Sequence, residues 1–133
     1  MICETRLNRI YRASAWYDLI VTAPLAIYPG FLLVFWALNQ LHGALGIEAL
    51  PPFTALGVMF ANFTGSVVIV WSLVRLRWDD VRLARYDAAA RWLFSAAMLV
   101  ALWHGASPIL VPVVIIEIAF GVLQSLPLRP REA

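Results

Sequence analysis

Lysine is absent from this sequence, cysteine occurs once and histidine twice in 133 residues. Charged residues make up only 14%, against about 25% in soluble domains. A lone Cys3 closes no intramolecular disulfide and belongs to no CxxC pair. His42 and His104 are too few and too peripheral to ligate a haem between helices. There is no glycine-rich phosphate loop and no Ser–His–Asp arrangement, and no polar segment is long enough for an extramembrane domain. With 62% hydrophobic residues and 13% aromatics, the chain is neither a soluble enzyme domain, a disordered segment nor a nucleic-acid module.

What is present is apolar and continuous. Residues 16–38, 53–76, 88–103 and 108–126 each read as a transmembrane helix, which needs about 20 apolar residues. The runs do not alternate as barrel strands would. The expected fold is all-α: one integral membrane four-helix bundle over residues 1–133, with a short N-terminal interfacial helix. In that helix Leu7, Ile10 and Tyr11 share one face while Arg6, Arg9 and Arg12 recur at three-residue steps. The run after it is too long for a cleaved signal core and is expected to be retained. Pro24 and Pro29 are expected to kink the first span. Gly43 and Gly105 are expected just past the first and third, with Ser107-Pro108 opening the fourth. Asp79 and Asp80 are placed to cap a helix running into the third.

All ten basic residues are arginines: Arg6, Arg9, Arg12, Arg75, Arg77, Arg82, Arg85, Arg91, Arg129 and Arg131. In a four-span arrangement they fall on one side, which predicts cytoplasmic N and C termini. The basic excess then reflects the anionic inner leaflet, and no nucleic acid is needed to explain it. Trp16, Trp36, Trp71, Trp78, Trp92 and Trp103 mostly mark span ends, as an aromatic belt does.

Polar residues inside the spans are where function could reside, because they are expensive there. Counting from the outer ends places Gly30, Asn62, Ser95 and Glu117 at one depth near the midplane. Gly121 and Gln124 share the Glu117 face of the fourth span. These six form a candidate ligand-binding set for a quinone or a lipid. The plainer expectation is an Asn62–Glu117 hydrogen bond that fixes helix pairing, with the acid neutral; the alternative is a polar pocket floor. Gly57, Ala61 and Gly65 form a small-residue stripe for helix packing. A second polar layer at the cytoplasmic boundary holds Asp18, Asp87 and Arg91. Asp87 and Arg91 are spaced to pair, and Asp18 can reach Arg91 or Arg75. His42, Glu48 and His104 lack metal-ligand spacing, so no metal site and no catalytic residue is nominated.

Four short spans, an arginine-rich central connection, the string 60–66 (FANFTGS) and Glu117 followed by Gly121 resemble the DoxX-like membrane proteins. The resemblance implies a four-helix bundle of the bacterial inner membrane, with some members linked to quinone-coupled sulfur oxidation. The leading functional expectation is a non-catalytic or accessory inner-membrane protein that packs with a membrane partner or with itself. The alternatives are a small quinone-reactive or lipid-modifying enzyme using Glu117, and a proton-coupled small-molecule transporter.

Overall fold

The computed structural model describes residues 1–78 and 80–128; Asp79, Arg129 and Arg131 lie outside the described residues. The chain is all-helical as expected. In order come α1 (Glu4–Thr22), a short 3-10 helix (Ala23–Ala26), α2 (Tyr28–Ala44), α3 (Ala55–Arg77), α4 (Val81–Trp103) and α5 (Leu110–Ser125). The one strand-like feature among the described residues is an isolated bridge between Ile2 and Leu128. The helices divide into two compact units, Met1–Ser14 with Trp78–Ala133, and Ala15–Arg77.

The expected first span is where sequence and structure differ most. In place of a kinked helix over residues 16–38, α1 continues to Thr22 and α2 leaves at 108° to it. The prolines account for the break. In a continuous helix the N–H of residue 29 would serve the carbonyl of residue 25, and Pro29 has no N–H. Pro24 likewise leaves the carbonyl of Ile20 unserved. Pro29 also opens α2 near its first position, where a missing donor costs nothing.

The unit Ala15–Arg77 is assembled around that break. Asn62 of α3 donates its side-chain amide to the orphaned Leu25 carbonyl at 2.7 Å. Gly65, one turn on, leaves room for the backbone of the break: a Cβ there would sit 2.5 Å from the Ala26 nitrogen. Gly30 does the same within α2, where a Cβ would lie 2.1 Å from the Pro24 oxygen. Along the first half of α2, Phe53 meets Phe31 and Phe35 edge-on at 5.2 and 5.7 Å. The glycine that ends α2 is Gly46, at φ 66°, and not Gly43, which lies inside the helix. Ile47 N–H donates to the His42 carbonyl and Gly46 N–H to the Gly43 carbonyl, the paired bonds of a Schellman cap. Gly105, at φ 88°, ends α4 in the same way, as expected.

In the other unit α4 and α5 pack antiparallel. The first half of α1 lies against them through Leu7 and Tyr11, which share a core with Ile2 and Ala84. Asp80 caps α4 by accepting from Arg82 N–H at 2.8 Å. The Arg82 side chain, hydrogen-bonded to the same carboxylate, holds the exposed Asp80 below the usual carboxylate range. α5 begins at Leu110, two residues after Pro108, with Ser107 accepting from Ile109 N–H. Its other end is closed by Arg85, which donates to the carbonyls of Gln124 and Leu126 at 2.7 Å each. Charge-assisted bonds of this kind contribute about 1.5–3 kcal/mol. Arg85→Ala should therefore destabilise the protein by about 1–3 kcal/mol and speed amide exchange selectively over residues 122–128. A uniform change along α5 would count against this capping role.

Candidate functional site

The densest polar cluster lies in the unit formed by α4, α5 and the first half of α1. Arg91 is at its centre, with its side chain 2% exposed. One turn earlier on α4, Asp87 accepts from Arg91 Nε at 3.1 Å. From α5, Glu117 Oε2 accepts from Arg91 Nη1 at 2.7 Å. The guanidinium also lies over the Phe120 ring, 4.9 Å from its centroid. α1 completes the cluster: the Ser14 hydroxyl accepts from Gln124 Nε2 at 2.9 Å, donates to the Tyr11 carbonyl at 2.8 Å and lies 3.5 Å from Asp87. Ser14 and Gln124 are fully buried.

Local sequence explains the geometry. Asp87 and Arg91 are one helical turn apart, so their side chains meet on one face of α4. Gly121 follows Glu117 by one turn; a Cβ there would sit 3.6 Å from Arg91 Cβ and 3.4 Å from the Trp92 ring. Its missing side chain thus lets α5 approach the Arg91 turn. Trp92 donates to Ser125 at 3.2 Å across the same pair of helices. Ser14 falls on the α1 face begun by Leu7 and Tyr11, at the seven-residue step.

The Asn62 amide, for which Glu117 is the expected acceptor, donates to the Leu25 carbonyl, which the proline break places beside it, while Glu117 accepts from the guanidinium of Arg91. One expectation is corrected here: Glu117 is expected in a layer separate from Asp87 and Arg91. The long arginine side chain joins all three, so that Arg91 bridges the two expected layers.

The six candidate ligand residues fall in both units. Glu117, Gly121 and Gln124 on α5 lie in the same unit as Ser95 on α4. Gly30 and Asn62 serve the proline break in the other unit. Ser95 is buried one turn beyond Arg91, and among the described residues its hydroxyl has no hydrogen-bond partner, nor has Gln124 Oε1. In the expected packing stripe, Gly65 seats the break, whereas Gly57 faces Phe53 and Thr54 of its own segment. Ala61 lies half-buried between them.

The remaining cytoplasmic-layer residue, Asp18, pairs with Arg75, which also donates to Ser72 at 3.0 Å. Of its two expected partners, the Arg75 contact is thus made. His42 is buried and hydrogen-bonds the Glu48 carbonyl through Nδ1, tying down the loop after α2. Among the described residues no group of three His, Cys, Asp or Glu is placed to hold a metal.

Sequence reasoning missed Ser14, Ser72 and the Arg91–Glu117 pair. The seven-residue step from Leu7 could have found Ser14. The need of a buried acid for a counter-charge could have found Arg91. No family model, no curated protein and no solved structure matches the chain. The DoxX-like resemblance therefore rests on its short strings alone.

Proposed function

We propose that this chain is a four-span integral protein of the bacterial inner membrane, with both termini cytoplasmic. It acts as an accessory packing subunit and not as a catalyst. The carrying observation is α3: a 23-residue helix long and apolar enough to cross a membrane, with only 11% of its apolar window buried within the chain. Such a surface calls for lipid on one side and a partner helix on another. Val67, Val70 and Leu73, all more than half exposed, lie on it. The crossings are then α2, α3, α4 and α5. α4 has the length, and the Arg91 charge is tolerable in a bilayer because it is paired with Asp87 and Glu117. Ile2 N–H donates to the Pro127 carbonyl at 2.9 Å, which supports both chain ends lying on one side, as an even number of crossings requires.

A second reading keeps one specific observation in its favour. Among the described residues the buried Ser95 hydroxyl of α4 and Gln124 carbonyl of α5 have no hydrogen-bond partner, and a quinone or lipid head could hydrogen-bond to them.

Gentle extraction followed by mass spectrometry of everything retained separates the two. The packing role predicts a stoichiometric membrane partner or a multimer of this chain. A monomer carrying a quinone that is lost in Glu117→Gln would replace it with the pocket reading. Topology is checked independently: reporter fusions at both ends should be active only in their cytoplasmic form, and a periplasmic signal from either end would refute the four-crossing arrangement.

A further inference from the structure

α1 has one face buried and one exposed. Leu7, Tyr11, Ser14 and Ala15 are fully buried. Opposite them Arg6, Arg9, Ala13, Trp16 and Ile20 are all exposed and follow one another at three- and four-residue steps, with the exposed Arg12 beside them. Trp16 is 53% and Ile20 70% exposed. The stripe is therefore basic over its first two turns, aromatic at its middle and aliphatic at its end. Neither Arg6 nor Arg9 is ion-paired among the described residues. This contrasts with Arg75, Arg82, Arg85 and Arg91, each of which meets a carboxylate or a carbonyl.

We infer that this stripe binds anionic phospholipid, with Arg6 and Arg9 on the phosphates, and Trp16 and Ile20 at the boundary between headgroup and acyl chain. The inference rests on the membrane reading above. With α2 crossing the bilayer, the 108° turn at the break lays α1 close to the membrane plane, where an exposed stripe meets headgroups along its length. The order of residues matches the chemistry of that zone. Guanidinium groups pair with phosphate in bidentate fashion, and tryptophan prefers the interface. Arg9 and Trp16 are two turns apart, about 10 Å along the helix. The opposite face cannot serve, because it is sealed against α4, α5 and the C-terminal segment. α1 is thus distinct from a free amphipathic helix: its apolar face is spent on the protein, so selectivity for lipid must come from the arginines. A solvated cytosolic face would account for the arginines but leaves Trp16 and Ile20 exposed to water.

The test uses the full chain in nanodiscs of neutral phosphatidylcholine mixed with anionic phosphatidylglycerol, with the lipids that stay bound after mild extraction counted by native mass spectrometry. The wild type should retain the anionic lipid in preference. Arg6→Gln with Arg9→Gln should reduce that preference about tenfold or more, on the scale of two basic residues near a charged surface. Arg6→Lys with Arg9→Lys should keep most of it and confirms that the variant chain folds. Preference should also weaken as salt rises. Equal retention of neutral and anionic lipid by the wild type, or no change in the glutamine variant, overturns the inference and leaves the membrane reading intact. Failure of the chain to enter nanodiscs of either composition overturns both.

Discussion

Arg91→Met should destabilise the protein by about 3–5 kcal/mol, the cost of stranding buried charge by removing one partner of a pair. Here two carboxylates, Asp87 and Glu117, lose the guanidinium that joins them. Methionine restores much of the volume, so the loss reports charge and hydrogen bonding more than a cavity. Unfolding by sodium dodecyl sulfate in mixed micelles, followed by tryptophan fluorescence, gives the measurement. Glu117→Gln should cost less than Arg91→Met, because an amide oxygen still accepts from Arg91 Nη1. Arg91→Met combined with Glu117→Met should be milder than the sum of the single losses, since the second change removes a charge that the first left stranded. Additive losses would show that the two side chains are not coupled, and would remove the structural account of Glu117.

This pattern also bears on function. A carboxylate whose main work is to neutralise an arginine should be replaceable by glutamine with the assembly retained. A carboxylate that holds a ligand should lose that ligand while stability changes little. The geometry favours the first, since Glu117 accepts from the buried Arg91 guanidinium at 2.7 Å.

The parts that were legible in the sequence were those set by local periodicity. Helix type, the Asp80 cap, the Gly105 terminus and the Asp87–Arg91 pair all depend on residues within about one turn of each other, and each is found. The outward direction of Arg6, Arg9 and Arg12 follows from the same periodicity. Partners distant in sequence were harder. Asn62 and Glu117 were matched because both were polar and at equal counted depth. Depth counting assumes straight spans, and Pro24 with Pro29 invalidates that assumption for the first. Once the chain turns through 108°, the carbonyl of Leu25 takes the Asn62 amide at 2.7 Å. The prolines were visible from the start; their consequence for Asn62, 37 positions from Leu25, was not.

Gly30→Ala and Gly65→Ala should be among the most damaging single-methyl changes in the protein, whereas Gly43→Ala should be neutral or mildly stabilising. The chemistry of the substitution is the same at all three positions. At Gly65 the new Cβ would lie 2.5 Å from the Ala26 nitrogen and 2.7 Å from the Leu25 carbonyl carbon, and at Gly30 2.1 Å from the Pro24 oxygen. These neighbours are backbone atoms of the break, so no rotamer change can relieve the clash. Overpacking of this kind costs about 1–3 kcal/mol and sometimes more. The displaced turn would also lose the Asn62 bond to Leu25, leaving a carbonyl without its donor. Gly43 has nothing within 4 Å of its Cβ position, so alanine there gains only helix propensity, up to about 1 kcal/mol. Asn62→Leu should fall between, at about 1–3 kcal/mol, because it orphans the carbonyl without moving the backbone. The same mixed-micelle unfolding ranks the four variants. If all three glycine variants behaved alike, the close approach at the break would not be a determinant of the fold. The expected ranking would make the 3-10 turn, seated on α3 by Gly65 and the Asn62 amide and against α2 by Gly30, the feature that separates α1 from α2.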